Sequence, residues 1–407
     1  MRILIITQYF QPEPFIKGLS FAKELVKRGH EVQVLTGFPN HPYGKIYPGY
    51  RIRFLQREQM EGISVVRVPL YPSHDRSSLK RFLNYTSFGV SASTIGFFAT
   101  KKADVAYVYH PPPTSCLPAI VMKVLKRIPF VYDIQDLWPD SLPQSGMFNS
   151  KFGIWAAGKC CNFLYYMARK IVVLSPGFKK VLCARGIPED KIEVIYNWCD
   201  DTSIRSVERD TNLAVELGMN DRFNVMFAGN MGTVQILDTV IDAADIVRHK
   251  LPDVQFVFVG DGSESDYIKQ KTKDIGLKNV LFIGRQPVSK MGSILSLADV
   301  LLVQLKDHPL FRITIPSKIQ AYLSAGKPIL TAIEGDAADL VLKANAGLKC
   351  EPGNPQSIAE AVEKFRSMPR AQLNAMGENG RKFYQQELSL KIGTERFEAV
   401  FESIIKK

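Results

Sequence analysis

Short apolar runs alternate with helix-like stretches along the chain, and this alternation predicts parallel sheets flanked by helices. In the first half the strands are predicted at residues 3–7, 31–36, 63–68, 104–109, 130–133, 170–174 and 192–195. A polar segment without a clear period, 197–209, follows. The pattern then restarts, with strands predicted at 224–227, 254–259, 280–283, 300–304 and 328–331. After Asn354 the chain has helical character to its end.

Because the pattern of strands and helices begins again after this segment, the sequence predicts two doubly wound, Rossmann-like α/β domains in series. The chain has 407 residues, about twice the usual size of one domain, and 46% of them are hydrophobic, which is enough for two cores. No motif recurs at a fixed period, which disfavours a solenoid. We predict an N-terminal domain at 1–200 and a C-terminal domain at 205–382, with a final helix at about 383–407 that packs back on the first domain.

The positive charge is unevenly distributed. The chain has a net charge of +12, and residues 1–200 hold 26 Lys and Arg against 14 Asp and Glu, whereas the remainder holds 26 of each. Such an excess is typical of proteins that bind anionic membranes, phosphorylated ligands or nucleic acid. Nucleic acid is the weakest of these, because no binding module and no basic run interleaved with aromatics is present.

The cysteines and the lengths of the apolar runs indicate where in the cell the protein is located. The six cysteines include no CxxC pair and no metal-like spacing with histidine, which indicates free thiols in a reducing cytoplasm and predicts no metal site. No run approaches the roughly 18 apolar residues of a membrane span. The N-terminal apolar run is too short for a signal peptide, so we interpret it as the first strand.

One segment of the basic half, residues 76–102, joins basic ends to an apolar, aromatic middle. A helix of this kind lies in a bilayer interface, or it is an interior helix of the first domain. The confinement of the charge excess to this half favours the membrane. The basic residues at its ends are Arg76, Lys80, Arg81, Lys101 and Lys102.

Glycine-rich turns follow two strands of the second half. FAGNMG ends one strand at Gly229, Asn230 and Gly232, and VGDG ends the next at Gly260 and Asp261. Backbone amides in such turns approach an anion closely, so a diphosphate is the natural ligand. Both turns are predicted at the same edge of the sheet, where ligands of open α/β sheets bind. A tight turn that needs glycine for its backbone angles is the structural alternative for each.

Two further strand ends are predicted at the same edge of the sheet. Arg285 and Gln286 follow the third strand and are placed to hold a base edge through their backbone. The stretch VQLKDHPLFRITIPSKIQAYLSAGKPIL combines a strand, a polar loop and a helix that starts near Pro316. Proline is favoured at such a start, and the free amides of the first turn face an anion. We expect Lys318 to pair with phosphate.

Together with YDIQDLWPDS, FAGNMGTVQ, VGDG and LKDHPLF, this stretch resembles the family 4 glycosyltransferases of the GT-B fold. Within that family the chain resembles the WbuB-like L-fucosamine (FucNAc) transferases of bacterial O-antigen and capsule synthesis. The resemblance covers nearly the whole chain. It implies two Rossmann-like domains facing across a cleft, a UDP-sugar as donor, transfer with retention of configuration, and no required cofactor.

The resemblance also implies where the donor binds, with the diphosphate between the Gly18 loop of the first domain and the Gly232 turn of the second. The implied donor-binding residues are Gly18, Gly229, Asn230, Gly232, Gln235, Gly260, Asp261, Arg285, Gln286, Lys306, Arg312, Ile315, Pro316, Ser317, Lys318 and Gln320.

The chain departs from the family pattern at charged positions. Gln235 and Asn230 stand where many relatives have a phosphate-binding lysine and an arginine, and Ile313 and Ala321 replace a pair of glutamates that grip sugar and ribose. The phosphates then depend on backbone amides and on nearby cations (Lys306, Arg312 or Lys318). The pocket beside Ile313 is more apolar, which leads to the hypothesis of an N-acetylated 6-deoxyhexose such as L-FucNAc.

In the first domain the aspartates of YDIQDLWPDS lie at and beyond a strand end. Gln135 stands where many relatives have a histidine, so no general base is obvious. For this fold retention is usually explained by front-face attack, in which the departing phosphate accepts the proton of the acceptor. We assign catalytic roles to Asp136 and Lys318; helix capping is the alternative for any of these aspartates.

The acceptor is predicted to contact loops of the first domain at Asn40, His41, His110 and Asp140. The segment GFPNHPYGKIYPGY is rich in turn residues, and function concentrates in such loops. His41 as an ordinary surface residue and His110 with its prolines as a rigid turn are the alternatives.

These features favour transfer of a sugar from a UDP-sugar to a lipid-diphosphate-linked saccharide, with undecaprenyl diphosphate as the lipid. The enzyme would be cytoplasmic and peripheral on the inner face of the inner membrane. A nucleotide-sugar 2-epimerase of the same fold needs no basic acceptor face, and the uneven charge argues against it. A non-catalytic sugar-nucleotide-binding assembly partner gains weight from the missing glutamates and histidine.

Overall fold

The computed structural model describes residues 1–73, 77–142, 150–204 and 206–405. It consists of largely parallel sheets flanked by helices. The chain divides into two units. Unit 1 comprises Met1–Tyr196 and Gly393–Lys407, and unit 2 comprises Asn197–Ile392. Each unit holds one sheet.

The sheet of unit 1 has eight strands in the spatial order β3-β4-β2-β1-β5-β6-β7-β8. All neighbours are parallel except β3 and β4, which are antiparallel. The strands are β1 (Arg2–Ile6), β2 (Glu31–Gly37), β3 (Gln56–Met60), β4 (Ile63–Val68), β5 (Val105–His110), β6 (Phe130–Ile134), β7 (Lys170–Val173) and β8 (Ile192–Val194). The first five helices are α1 (Leu19–Lys27), α2 (Ser78–Ala99), α3 (Cys116–Lys126), α4 (Lys151–Met167) and α5 (Pro176–Ala184).

The sheet of unit 2 has six parallel strands in the order β11-β10-β9-β12-β13-β14. They are β9 (Phe223–Ala228), β10 (Val254–Val259), β11 (Val280–Ile283), β12 (Val300–Gln304), β13 (Ile329–Ala332) and β14 (Gly347–Lys349). The helices are α6 (Thr211–Glu216), α7 (Asp238–Arg248), α8 (Ser265–Ile275), α9 (Met291–Ser296), α10 (Pro309–Arg312), α11 (Ser317–Ala325), α12 (Asp336–Lys343), α13 (Pro355–Ser367) and α14 (Arg370–Phe383).

The last helix, α15 (Leu390–Ile405), begins in unit 2 and ends in unit 1. In unit 1 its Phe397 ring contacts Phe21 of α1 and Tyr107 of β5, at centroid distances of 5.2 and 5.3 Å. Glu398 binds Arg28 and His30 at 2.6 and 2.8 Å. The helix therefore packs with α1 against the sheet of unit 1.

Short turns complete the secondary structure. Single 3-10 turns lie at Pro113–Ser115, Glu189–Lys191, Thr233–Gln235 and Val288–Lys290, and a π-helical turn spans Tyr384–Leu388.

The direction of the crossovers decides which face each helix of unit 1 covers. The connections β4-α2-β5, β5-α3-β6 and β6-α4-β7 all step in one direction across the sheet, whereas β1-α1-β2 steps in the other. Because such crossovers are right-handed, α2, α3 and α4 share one face of the sheet, and α1 lies on the opposite face. Among the described residues, no helix is both long and apolar enough to span a membrane.

The central strands of both sheets are buried on both faces and carry long apolar runs, as β10 does with VQFVFV. The strand order of unit 2 reverses between β9 and β12, and that of unit 1 reverses between β1 and β5. Ligands of open α/β sheets bind beyond the carboxyl ends of the strands at such reversal points. The segments after β9 and β12 therefore lie where a ligand-binding site is expected.

Candidate functional site

The loops after β9 and β12 meet at the reversal point of unit 2. Gly229 follows β9 directly, and Lys306 follows β12 by two residues. The amide of Lys306 donates to the carbonyl oxygen of Val234 at 2.9 Å, so the two loops are joined through their backbones.

The turns after β9 and β10 pack backbone against backbone. The φ angles of Gly229 and Gly260 are +141° and +130°, a region that side chains disfavour. A Cβ on Gly260 would lie 2.2 Å from the Gly229 carbonyl oxygen, so only glycine fits. The amide of Met231 donates to the carbonyl of Asp261 at 3.0 Å. Glycine is therefore required for the close approach of the two turns.

Polar side chains near these turns form hydrogen bonds with the backbone of the turns. Gln235 Oε1 accepts from the amide of Gly232 at 2.9 Å, and the Gly232 carbonyl accepts from the amide of Gln235 at 3.1 Å. Asn230 lies beside the same glycine, with its Nδ2 2.9 Å from where a Cβ on Gly232 would be. The Asp261 carboxylate accepts from the Gly262 amide at 2.8 Å. Hydrogen bonds from Ser265 and from this amide lower the pKa of Asp261.

Lys318 points from the first turn of α11 into this region. Its Nζ lies 3.5 Å from the centroid of the Phe227 ring, and its Cε would lie 2.5 Å from a Cβ on Gly229. Its ammonium group forms no hydrogen bond or ion pair with any residue that the structure describes. Burial lowers the pKa of Lys318 to about 7. A desolvated cation beside a glycine turn, without a protein carboxylate, is suited to binding an anionic ligand.

Tyr322 holds α11 against the end of β9, a role that sequence reasoning missed. Its hydroxyl accepts from the amide of Ala228 at 2.8 Å and is 3.2 Å from the Ala228 carbonyl oxygen. It follows Lys318 by four residues, so both side chains lie on one side of the helix. This four-residue spacing is the sequence signal that could have identified Tyr322. The side chain of Gln320 is buried, and with its amide turned so that the nitrogen faces the carbonyls of Pro316 and Ser317, it donates to them at 2.9 and 3.2 Å.

The remaining predicted donor residues differ in their surroundings. Arg312 binds the Asp307 carboxylate through two hydrogen bonds of 2.6 and 2.5 Å, and this contact lowers the pKa of Asp307. Lys306 and Arg285 are exposed, whereas Ile315 is buried. The charge of Arg312 is thus matched by Asp307, and Lys318 is the best-placed cation beside the glycine turns.

The predicted positions of the glutamate pair lie at the end of α10 and on α11. Ile313 ends α10, and Ala321 lies three residues after Lys318 on α11. Gln286 Nε2 is 3.4 Å from the Gly284 carbonyl oxygen, a local contact after β11.

In unit 1, Asp133 on β6 is enclosed by hydrogen-bond donors. Its carboxylate accepts from Lys17 Nζ at 2.7 Å, from the Tyr107 hydroxyl at 2.5 Å and from Gln135 Nε2 at 2.5 Å. Both members of the Lys17–Asp133 ion pair are buried. Burial lowers the pKa of Lys17, and the adjacent carboxylate opposes that shift. Gln135 thus acts as a donor to Asp133.

The other two aspartates of this segment have separate partners. Asp136 accepts from Trp138 Nε1 at 3.2 Å. Asp140 forms an ion pair with Arg185, whose guanidinium also donates to the Trp138 carbonyl at 2.9 Å.

Glu13, which sequence reasoning missed, organises the loop of Asn40 and His41. Its buried carboxylate accepts from the amides of Asn40 and His41 at 2.8 and 2.7 Å and from that of Phe10 at 3.0 Å. Burial raises the pKa of Glu13, and these amides oppose the shift. The Asn40 side chain is itself buried and lies 3.4 Å from Asn84. No sequence signal marks such a long-range contact.

His110 is also enclosed. Its ring packs against Tyr132 and Trp138 at centroid distances of 5.7 and 5.8 Å, and burial lowers its pKa to about 3. The surroundings of His110 and Asn40 favour a structural role, and their contact with an acceptor stays a prediction.

Gly18 lies where α1 begins, beyond the carboxyl end of β1. Gln11 Oε1 accepts from the amide of Leu19 at 2.7 Å and would be 2.2 Å from a Cβ on Gly18. Within the described ranges, no group of three or more His, Cys, Asp or Glu side chains is arranged to hold a metal ion.

Two sequence families match successive parts of the chain. Residues 19–198 match the glycosyl transferase 4-like domain, and residues 209–383 match the glycosyl transferases group 1. With the two parallel sheets, these matches identify the chain as a glycosyltransferase of the GT-B fold with family 4-like domains.

Two similar proteins are themselves described as glycosyltransferases. The putative colanic acid biosynthesis glycosyl transferase WcaI of Escherichia coli K12 is 26% identical over 91% of this chain and 93% of its own. The probable glycosyltransferase WbjE of Pseudomonas aeruginosa is 23% identical over 67% of this chain and 68% of its own. Among solved structures, Anabaena HepE in complex with UDP aligns with a TM-score of 0.73 and 18% identity, covering 99% of this chain and 100% of its own.

Proposed function

We propose that this glycosyltransferase uses a UDP-sugar as donor and holds the nucleotide diphosphate in unit 2, at the turns after β9 and β10. Lys318 is the observation that carries the proposal, because a desolvated cation without a protein carboxylate stands beside a turn that only glycine can form. The UDP in the HepE structure supports the choice of nucleotide.

The donor is held mainly by backbone amides and by Lys318. The predicted phosphate donors are backbone amides of the turns after β9 and β10 that bind no other described residue, such as those of Asn230 and Asp261, and amides in the first turn of α11. With Ile313 and Ala321 in the places of glutamates, fewer side chains can accept from sugar hydroxyl groups. We infer a donor sugar with few hydroxyl groups, an N-acetylated 6-deoxyhexose such as L-FucNAc.

Transfer proceeds with retention in this proposal. The bond from the sugar C1 to the diphosphate oxygen breaks, the acceptor oxygen bonds to C1 on the same face, and the departing phosphate takes the acceptor proton. Lys318 stabilises the charge that develops on the leaving phosphate, as preorganised cations do. Asp136 orients the acceptor or the sugar ring. The step requires no metal and no further cofactor.

The proposed acceptor is a saccharide linked to a lipid diphosphate, such as undecaprenyl diphosphate, at the cytoplasmic face of the inner membrane. The description of WcaI as a colanic acid biosynthesis enzyme supports a role in surface polysaccharide synthesis. The basic first half supports an anionic acceptor. Helix α2 exposes Leu79, Phe82, Leu83, Val90 and Phe98 while it buries Phe88, which supports interfacial binding. Arg76 lies outside the described residues.

Incubation with a panel of UDP-sugars and lipid-linked acceptors tests the reaction. Release of UDP that depends on the acceptor supports the proposal. Nucleotide binding without turnover would indicate a non-catalytic assembly partner, and a 2-epimer formed without acceptor would indicate an epimerase. The site is tested by Lys318→Ala, which should weaken UDP binding, whereas the exposed Lys278→Ala should not. The proposed site is wrong if both variants bind equally.

The membrane role of α2 has its own test. Neutralising Lys80, Arg81, Lys101 and Lys102 should lower binding to anionic vesicles by about fivefold for each cation near the surface. Unchanged binding at physiological salt would contradict it.

A further inference from the structure

Helix α4 exposes a row of aromatic side chains that the proposed reaction does not use. Phe152, Trp155, Phe163 and Tyr166 recur at helical spacing, and 53–77% of their surfaces are exposed. We call these four residues the aromatic stripe. Lys159 lies among them, with its Nζ 5.9 Å from the centroid of the Trp155 ring. The Phe152 and Trp155 rings stack on each other at a centroid distance of 5.8 Å, and clustered exposed apolar side chains are typical of interaction surfaces.

The stripe belongs to a larger exposed apolar surface. Helices α2, α3 and α4 together hold 12 of the 23 exposed large hydrophobic residues in the described chain, although they comprise only 50 residues. These three helices cover the same face of the sheet of unit 1. The exposed apolar residues are therefore concentrated on one side of this unit.

A positively charged recess of about 520 Å³ lies at the C-terminal end of α4. Its cations are Lys123, Arg169, Lys170 and Lys191, and we call it the basic recess; Tyr166 of the stripe also lines it. A volume of this size is in the range of small-ligand sites. The recess therefore adjoins the aromatic stripe.

The cations of the basic recess outnumber the carboxylates near them, which among the described residues are Asp190 in the lining and Glu193 beside Lys170. Lys170 pairs with Glu193 at 2.9 Å. Lys123 and Lys191 donate only to the main-chain carbonyls of Met167 and Tyr166, at 2.7 and 2.9 Å. Arg169 is exposed and has no carboxylate partner among the described residues. Burial, with the charges of Lys123 and Arg169, lowers the pKa of Lys191, and the charge of Asp190 only partly opposes the shift. An anion in the recess would relieve this repulsion.

We propose that α4 docks on an anionic lipid bilayer, with the aromatic stripe in the interfacial layer and the basic recess against headgroup phosphates. Aromatic side chains concentrate at membrane interfaces, and nearby Lys and Arg are attracted to anionic lipid. The charge complementarity selects a lipid surface over an apolar protein partner. The proposal extends the membrane association proposed above to a second helix, and its test does not require the transfer reaction.

The experiment measures co-sedimentation of the full chain with vesicles of mixed phosphatidylcholine and phosphatidylglycerol. Trp155→Ala removes exposed apolar surface and should lower the partition coefficient about tenfold. Arg169→Gln removes one cation and should lower it about fivefold. Phe54→Ala and Arg57→Gln are the matched controls, because both residues are exposed in unit 1 outside the helices of this surface. They should bind as the wild type does.

Several results would overturn the proposal. One is wild-type vesicle binding by both α4 variants; another is equal wild-type binding to vesicles of pure phosphatidylcholine. A third is inorganic phosphate binding that depends on Arg169 without any vesicle binding. If Trp155→Ala changes only the oligomeric state by sedimentation velocity, the stripe is an interface between copies of the chain. UDP binding, measured on the same variants, should stay unchanged, which separates a failure of docking from a failure of the donor site.

Discussion

Protonation of Lys318 should control the affinity for the donor. Burial lowers the pKa of this lysine from 10.5 to about 7 in the unliganded protein, and a bound diphosphate should raise it again. In the unliganded protein, about 90% of the Lys318 side chains are therefore protonated at pH 6 and about 10% at pH 8. Since only the charged form pairs with phosphate, the affinity for UDP-glucose should fall about tenfold between these pH values.

Isothermal titration calorimetry with UDP-glucose measures this effect, because its diphosphate diester does not titrate in this range. Titrations at pH 8 in buffers of different ionisation enthalpy should also show uptake of nearly one proton. Lys318→Arg carries a permanent charge and should flatten the profile. A wild-type affinity that is constant from pH 6 to pH 8 would refute the reasoning.

The same lysine should reduce stability in the unliganded state. The folded protein loses this proton near pH 7 and the unfolded chain near 10.5, so the unfavourable contribution is complete below pH 7 and disappears as the pH rises to 10.5. The difference corresponds to at most on the order of 5 kcal/mol. Lys318→Met should therefore raise the free energy of unfolding in urea more at pH 6 than at pH 9. A less stable variant at pH 6 would refute this account.

Two further predictions concern packing. Gly260→Ala places a Cβ 2.2 Å from the Gly229 carbonyl oxygen and should lower the free energy of unfolding by more than about 2 kcal/mol, whereas Gly284→Ala, with open space around it, should be close to neutral in the same urea titration. Lys17→Met leaves the Asp133 carboxylate buried without its cation and should cost about 3–5 kcal/mol; the double variant with Asp133→Asn should recover part of that loss, and additive losses would contradict the pairing.

The central strands could be predicted closely from the sequence. Continuous apolar runs identify strands buried on both faces, and the predictions at 63–68, 254–259, 280–283 and 300–304 coincide with β4, β10, β11 and β12. Two strands were missed. The sequence QREQM of β3 has no apolar alternation because this edge strand has no fully buried residue, and β14 has only three residues.

The site was less predictable than the fold. The position of Lys318 beside Gly229 follows from a strand end and a helix start, and both have local sequence signals. The pairing of Arg312 with Asp307 and the turn-closing contact of Gln235 depend on side-chain geometry. The contact of Glu13 with the Asn40 loop joins segments 27 residues apart, which no local pattern indicates.

A crystal structure with bound UDP would test the central claim most directly. We predict the diphosphate within hydrogen-bond distance of Lys318 Nζ, at the turns that follow Gly229 and Gly260. UDP bound at another place in the molecule, or a diphosphate that does not contact Lys318, would contradict the account.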